Sequence, residues 1–264
     1  MKALLIDRIS KHFGGLQVLT DIFIELEEGT RLAIIGPNGA GKTTLINVIS
    51  GVLKPSTGRI FLFGKNVTAI APYMRSRLGL SRTFQILSLF PNVSVLESLL
   101  LSGMPLRSDQ LSLLRPLRTF KHLFERSQSL LESMGLWEKR EMMVSNLSHG
   151  EQKLLEMAMS LSQSPKLMLL DEPMAGLSPG ETVLISSAIR SLPPEVTTII
   201  VEHNVDAALD LAGRVVVLNQ GMILVQGSPE EVRGNPKVQE IYLGTEESWK
   251  SWRDFLSGRG QRAL

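Results

Sequence analysis

Gly36-Pro37-Asn38-Gly39-Ala40-Gly41-Lys42-Thr43 follows an apolar run, Leu32-Ala33-Ile34-Ile35, and precedes Leu45, Ile46, Val48 and Ile49. The run before it reads as a buried strand and the stretch after it as a helix starting near Gly41. A glycine, four residues, then Gly-Lys-Thr is the pattern of a phosphate-cradling loop, and strand-before, helix-after is its confirming context. Glycines let the backbone curl until successive N–H groups point inward at phosphate oxygens, and the helix start adds partial positive charge. Gly36, Pro37, Asn38, Gly39, Ala40, Gly41, Lys42, Thr43 and Thr44 are therefore the expected nucleotide contacts. Lys42 would reach the β- and γ-phosphates, and the Thr43 hydroxyl would ligate Mg²⁺.

A second stretch completes this chemistry. Leu167-Met168-Leu169-Leu170-Asp171-Glu172 reads as a buried strand with two carboxylates at its carboxyl end, where ligands of open α/β sheets bind. Asp171 is expected to help hold the Mg²⁺ shell, and Glu172 to polarise the attacking water.

Further out, Leu4-Leu5-Ile6 and Ile22-Phe23-Ile24 read as short strands. Lys54-Pro55-Ser56-Thr57-Gly58 reads as a turn before a strand at Ile60-Phe61-Leu62-Phe63-Gly64. From about Ser94 to Ser162, Leu and Met recur at three- and four-residue spacing, which predicts a mostly helical insertion. Strands resume at Thr197-Thr198-Ile199-Ile200-Val201 and Val215-Val216-Val217-Leu218. Alternation of strand and helix predicts a parallel sheet with crossovers.

Composition removes several classes. The absence of cysteine excludes disulfides, zinc thiolate sites and thiol catalysis. A net charge of +2 is too small to argue for nucleic acid. No apolar run approaches the roughly 20 residues that span a bilayer, and the run at Leu4-Leu5-Ile6 is too short for a signal peptide. Any membrane role is thus expected to come through a partner.

Leu147-Ser148-His149-Gly150-Glu151-Gln152 precedes the Asp171 strand. With the phosphate loop, it resembles the signature motif of ATP-binding-cassette (ABC) ATPases, usually Leu-Ser-Gly-Gly-Gln, departing from it at His149 and Glu151. The resemblance spans about residues 3 to 244. It implies a RecA-like P-loop NTPase core, with an N-terminal antiparallel β subdomain and a helical subdomain inserted at about 90–162. ATP and Mg²⁺ are the implied ligands. Ser148 and Gly150 would face the γ-phosphate bound by the opposite subunit. Gln85, in Arg82-Thr83-Phe84-Gln85, is similar to the glutamine that links nucleotide, metal and membrane partner. His203, in Val201-Glu202-His203-Asn204, resembles the switch histidine that contacts the γ-phosphate and positions the water. Phe13 resembles the aromatic that stacks on adenine. Ala175-Gly176-Leu177-Ser178 resembles the D-loop, with serine where aspartate is usual.

Phe13-Gly14-Gly15, Arg82-Thr83-Phe84-Gln85, Glu202-His203-Asn204 and Ile241-Tyr242-Leu243-Gly244 look like the ATPases of branched-chain (hydrophobic) amino acid importers, whose relatives carry urea, short amides or other small solutes. The implied partners are a second ATPase subunit, identical or paralogous, two membrane permeases and, indirectly, a solute-binding protein. The implied place is the cytoplasmic face of the inner membrane. A lipopolysaccharide-export ATPase has a similar Tyr-Leu-Gly ending, so a lipid exporter is a second reading. A soluble ABC ATPase of translation or DNA repair is a third, against which stand the single cassette and the short helical insertion. A P-loop GTPase would want an Asn-Lys-x-Asp motif, which is absent. Arg115, Arg118, Lys121 and Arg126 read as a solvated helix face. In the tail, 245–264, Trp249, Trp252 and Leu256 fall at helical spacing and predict a short amphipathic helix.

Overall fold

The computed structural model describes residues 1–83, 90–104 and 121–243. In chain order, β1 (Lys2–Phe13) and β2 (Leu16–Glu27) form a hairpin. Then β3 (Arg31–Ile35) leads into the phosphate loop, α1 (Lys42–Ser50) leads out of it, and β4 (Thr57–Leu62) and β5 (Lys65–Asn66) return beside β1. Next come α2 (Pro72–Arg77), β6 (Leu80–Arg82), α3 (Val95–Gly103), α4 (Lys121–Ser133), α5 (His149–Ser162) and β7 (Leu167–Asp171). The chain continues through α6 (Pro179–Arg190), β8 (Thr197–Val201), α7 (Val205–Leu211), β9 (Arg214–Asn219), β10 (Met222–Gly227), α8 (Pro229–Arg233) and α9 (Pro236–Leu243).

Two sheets result. One is antiparallel, in the order β2-β1-β4-β5. The other runs β10-β9-β3-β8-β7-β6 and is parallel except for the β9–β10 hairpin. This is the expected α/β class, with a parallel core beside an N-terminal antiparallel sheet.

Alternation of side chains along each strand explains why the core strands are apolar throughout. Leu167 and Leu169 of β7 point to the cluster that includes Leu4, Ile24, Leu45 and Ile60, between the parallel sheet and the antiparallel one. Met168 and Leu170 point the other way, to Leu96, Leu99, Leu131 and Leu155 of α3, α4 and α5. On β3, Leu32 and Ile34 face the first cluster, whereas Ala33 and Ile35 meet Val205, Val232, Val238 and Tyr242. Each strand of a sheet covered on both faces must satisfy two cores, so a period of two disappears from its sequence.

The N-terminal strands are longer than their apolar runs suggest. β1 and β2 each extend over 12 residues. Polar residues within β1, such as Asp7, Arg8 and Lys11, hide the pattern. Irregular register between Ile6 and Ile9, with Arg8 at φ 52°, breaks the alternation as a bulge does. The proposed turn at Lys54–Gly58 likewise yields its last two residues to β4. The tail, residues 245–264, and Arg115 and Arg118 lie outside the described residues. Lys121 is an exposed partner of Glu125, while Arg126 donates to the Leu161 carbonyl at 3.1 Å and the Ser164 hydroxyl at 2.6 Å.

Arg75 is almost fully buried, and burial lowers its guanidinium to about 10. Its Nη1 donates to the Val48 and Ile49 carbonyls at 2.8 and 2.6 Å, and its Nε to Ile70 at 3.0 Å. It thus bonds carbonyls in the last turn of α1, where Ile49 lacks a helical partner and Val48 accepts only from the Gly51 amide at 3.3 Å. Arg75→Met should strand those acceptors and cost about 1–3 kcal/mol, read as a lower urea midpoint at unchanged slope.

Candidate functional site

The loop after β3 turns where only glycine fits. A Cβ on Gly36 would lie 2.2 Å from the Leu218 carbonyl oxygen, with φ at 155°. Val18, residues 38–44, Glu172 and His203 line a cavity of about 360 Å³. Lys42 folds back inside the loop, where its Nζ donates to the Gly36 carbonyl at 2.6 Å and the Pro37 carbonyl at 3.0 Å. Burial lowers the Lys42 ammonium below its ordinary value, and the nearby Glu172 carboxylate opposes that shift. Tyr242 of α9 sits against the backbone of Gly36, and burial pushes its hydroxyl up.

The carboxylates of β7 take separate positions. Glu172 departs from the strand with φ 51°, a left-handed conformation that costs a non-glycine residue about 1–3 kcal/mol. Its Oε1 meets His203 Nε2 at 2.6 Å, with the imidazole about half exposed. Asp171 is 1% exposed and its Oδ2 accepts from Arg82 Nη2 at 2.8 Å. Its Oδ1 is buried and has no hydrogen-bond partner among the described residues. Asp171 does not line the phosphate-loop cavity, and Gln85 lies outside the described residues.

Three further residues were not anticipated. Arg82 also donates to Asn47 Oδ1 at 2.7 Å and Ser50 Oγ at 3.0 Å, tying α1 to Asp171. Glu202 is 3% exposed and accepts from the Met174 and His203 amides at 2.9 and 3.2 Å. Burial raises its carboxyl above the usual range despite those bonds. Glu181 accepts from Ser148 Oγ at 3.1 Å and the Gly150 amide at 2.9 Å. The only sequence signals were a charge next to a motif residue for Arg82 and Glu202, and a carboxylate three residues after Ser178 for Glu181.

Ser148 caps α5, and Glu151 completes the capping box by accepting from the Ser148 amide at 3.0 Å. Glu151 is also paired with Lys139. The departure from the usual signature at this position therefore has a structural role. Ser148 and Gly150 do not line the cavity of the phosphate loop. Phe13 does not line it either: it is exposed near the end of the β1–β2 hairpin, with Lys11 Nζ 4.8 Å from its ring centre. Val18 of the same hairpin does line it. A larger cavity, about 630 Å³ and lined by Phe63, Arg126, Leu161, Lys166 and Pro193 among others, contains none of the candidate residues.

The family model for ABC transporters matches residues 19–175. The chain belongs to the ABC transporter ATPases. A second model, the branched-chain amino acid ATP-binding cassette transporter, matches residues 223–248. The high-affinity branched-chain amino acid transport ATP-binding protein LivG of Salmonella typhimurium is 36% identical, over 91% of this chain and 97% of its own length. A probable LivG of Archaeoglobus fulgidus is also 36% identical, over 94% and 98%. Among solved structures, the ADP conformation of MJ1267, an ATP-binding cassette of an ABC transporter, superposes with a TM-score of 0.82 at 33% identity, covering 93% of this chain and all of that one. As an ABC transporter ATPase, this chain binds nucleotide and hydrolyses ATP. Among its described residues, no helix is long and apolar enough to cross a membrane.

The buried ammonium of Lys42 bears on the stability of this ATPase. A lysine whose folded pKa is lowered contributes stability above its unfolded value and loses it as pH falls through the folded one. At neutral pH, without nucleotide, it is a net cost. Lys42→Met removes that cost but also the bonds to the Gly36 and Pro37 carbonyls, so the two effects oppose each other and the nucleotide-free unfolding midpoint at pH 7 should change little. The substitution should also abolish the rise that saturating nucleotide gives the native chain, about 2.7 kcal/mol at a hundredfold excess over Kd. Thermal unfolding with and without ADP decides it. A native-sized rise in the variant would remove Lys42 from the phosphate contacts.

Proposed function

We propose that this chain energises uptake of branched-chain or other hydrophobic amino acids, or a related small solute. It does so as one of two ATPase subunits beneath two membrane permeases at the cytoplasmic face of the inner membrane. A solute-binding protein delivers the cargo. The observation that carries this reading is the likeness beyond the common ATPase core. It continues through residues 223–248, the segment matched by the branched-chain model, whose Tyr242 packs against the phosphate loop.

The geometry supports roles for this chain's own residues. The amides of the loop 36–43 and the start of α1 take the phosphates, with Lys42 released from the Gly36 and Pro37 carbonyls to meet them. Glu172 accepts the proton of the attacking water, and His203, already bonded to Glu172, orients that carboxylate and reaches the γ-phosphate. The left-handed backbone at Glu172 is strain stored at this carboxylate. Glu202 anchors the His203 amide from below. Phe13, exposed on the hairpin beside the cavity-lining strand, offers its ring to adenine. The buried, unpartnered Oδ1 of Asp171 and the Thr43 hydroxyl are the groups that would hold Mg²⁺. When bound, the ion neutralises phosphate charge.

Ser148 and Gly150 lie outside the cavity of their own chain's phosphate loop, which favours a site shared between two subunits: Lys42 from one and Ser148 from the other. Closure on two ATP molecules and reopening after hydrolysis would then move the permeases.

Two measurements test the reading. Glu172→Gln should keep the nucleotide-induced thermal shift while turnover falls by about a hundredfold or more, and near-normal turnover removes Glu172 as the base. In the purified complex with its permeases and binding protein, leucine, isoleucine or valine should stimulate ATP hydrolysis. Stimulation by short amides or urea instead would reassign the solute, and stimulation only by lipid would favour an exporter.

A further inference from the structure

The donors at the start of α5 already hold an anion. Glu181 reaches them from α6, and its Oε1 accepts from Ser148 Oγ at 3.1 Å and from the Gly150 amide at 2.9 Å. Its Oε2 accepts from the Ser178 amide at 3.0 Å and the Ser178 hydroxyl at 2.8 Å. The fit is close: a Cβ on Gly150 would lie 2.8 Å from Glu181 Cγ and 2.9 Å from Oε1. The Ser178 amide, the Gly150 amide and the two serine hydroxyls hold the carboxyl down to about 2, so it is ionised at any working pH.

A hydroxyl and an amide at the first turn of a 14-residue helix form a donor set for a phosphate oxygen. A carboxylate oxygen takes the same donors, and the two anions cannot share them without repulsion. We propose that Glu181 is an internal stand-in for the γ-phosphate: it occupies Ser148 and Gly150 in the unpaired subunit and gives them up when a second subunit presents ATP. This rests on the shared-site reading above and deepens it.

The release is local. Only the Oε1 bonds are lost, because Oε2 keeps the Ser178 amide and hydroxyl and with them the capping box of α6. The serine in place of the usual D-loop aspartate fits this arrangement. Its hydroxyl donates to Glu181, whereas an aspartate there would set a second negative charge against it. One carboxylate thus connects the signature position to the D-loop position, and holds the signature donors in their bound geometry before ATP arrives.

The occupied form must open before ATP can take its place, which lowers the apparent affinity of the closing step. The test uses the full chain carrying Glu172→Gln, so that bound ATP persists, and measures mass by light scattering across an ATP–Mg²⁺ titration. Adding Glu181→Ala or Glu181→Gln should lower the ATP concentration for half-maximal dimer by about threefold or more. Thermal unfolding checks that each variant is folded, and the glutamine variant, which keeps the shape, carries the test if alanine disturbs the α6 cap. Ser148→Arg serves as the control for the shared site. A dimer abolished by Ser148→Arg but unchanged or weakened in both Glu181 variants overturns the stand-in role alone. A dimer that survives Ser148→Arg overturns the shared-site reading and the inference with it.

Discussion

The parallel register of β3, β8 and β7 sets the level from which every candidate group departs. Ile34 pairs with Val201, and Val201 with Asp171. The three strands therefore end together, and the chain leaves them within a few residues of the same plane. From β3 comes the phosphate loop, from β7 Glu172, and from β8 Glu202 and His203. Backbone bonds continue the ladder past the strand ends, with the Glu172 amide donating to Val201 at 2.9 Å and the Glu202 amide to Ile34 at 3.3 Å. A slip of one residue in any pairing would turn each side chain to the opposite face. It would separate Glu172 from His203 and send the apolar residues of β7 to the wrong cores.

That alignment gathers charge in a place that does not favour it. Asp171, Glu172 and Glu202 are all buried at the ends of two adjacent strands. Each is held by a different device: Asp171 by the Arg82 guanidinium, Glu172 by the His203 ring, Glu202 by two backbone amides. Arg82 is itself tied to Asn47 and Ser50, so the helix that begins at Lys42 and the strand that ends at Asp171 are linked through one side chain. Buried pairs of this kind are poor stabilisers compared with apolar packing, but removing one partner leaves an uncompensated charge. The site is therefore a local cost carried by the cores on either side of the sheet, in keeping with the left-handed backbone at Glu172.

The sequence made the fold legible where a residue type has one physical use. Gly36 and Gly41 around a lysine, between an apolar run and a helical period, admit few structures. The short, β-branched runs of β8 and β9 and the apolar run of β7 read as strands, the last of them buried. The hairpin of β1 and β2 was less readable because charged residues interrupt its strands and β1 bulges at Arg8. Function residues that act through a partner were harder still. In the sequence Arg82 and Glu202 are only charges beside motif residues and Glu181 only part of a helix cap; their roles come from what the chain brings beside them 28 or more residues away: Arg82 to Asp171, Glu202 to Met174, Glu181 to Gly150. The signature serine was readable as a helix cap, which it is, but the carboxylate on it was not.

The helix starts of α1 and α5, both proposed to meet phosphate, differ in how their polar groups are satisfied. At α1 the loop is satisfied by its own lysine, since Lys42 bonds back to the Gly36 and Pro37 carbonyls and the amides are left facing an open cavity. At α5 the donors are satisfied by a carboxylate from the neighbouring helix. The difference follows from exposure. The α1 site is a recess, where the inward-folded Lys42 side chain holds the loop. At the α5 start the helix itself sets the direction of the buried Gly150 amide, but the exposed Ser148 hydroxyl, left alone, would have no single direction. An internal anion fixes that direction. The same contact that prepares the surface for a phosphate must then be broken to receive one, so order at the α5 start and ease of closure are set against each other through a single side chain.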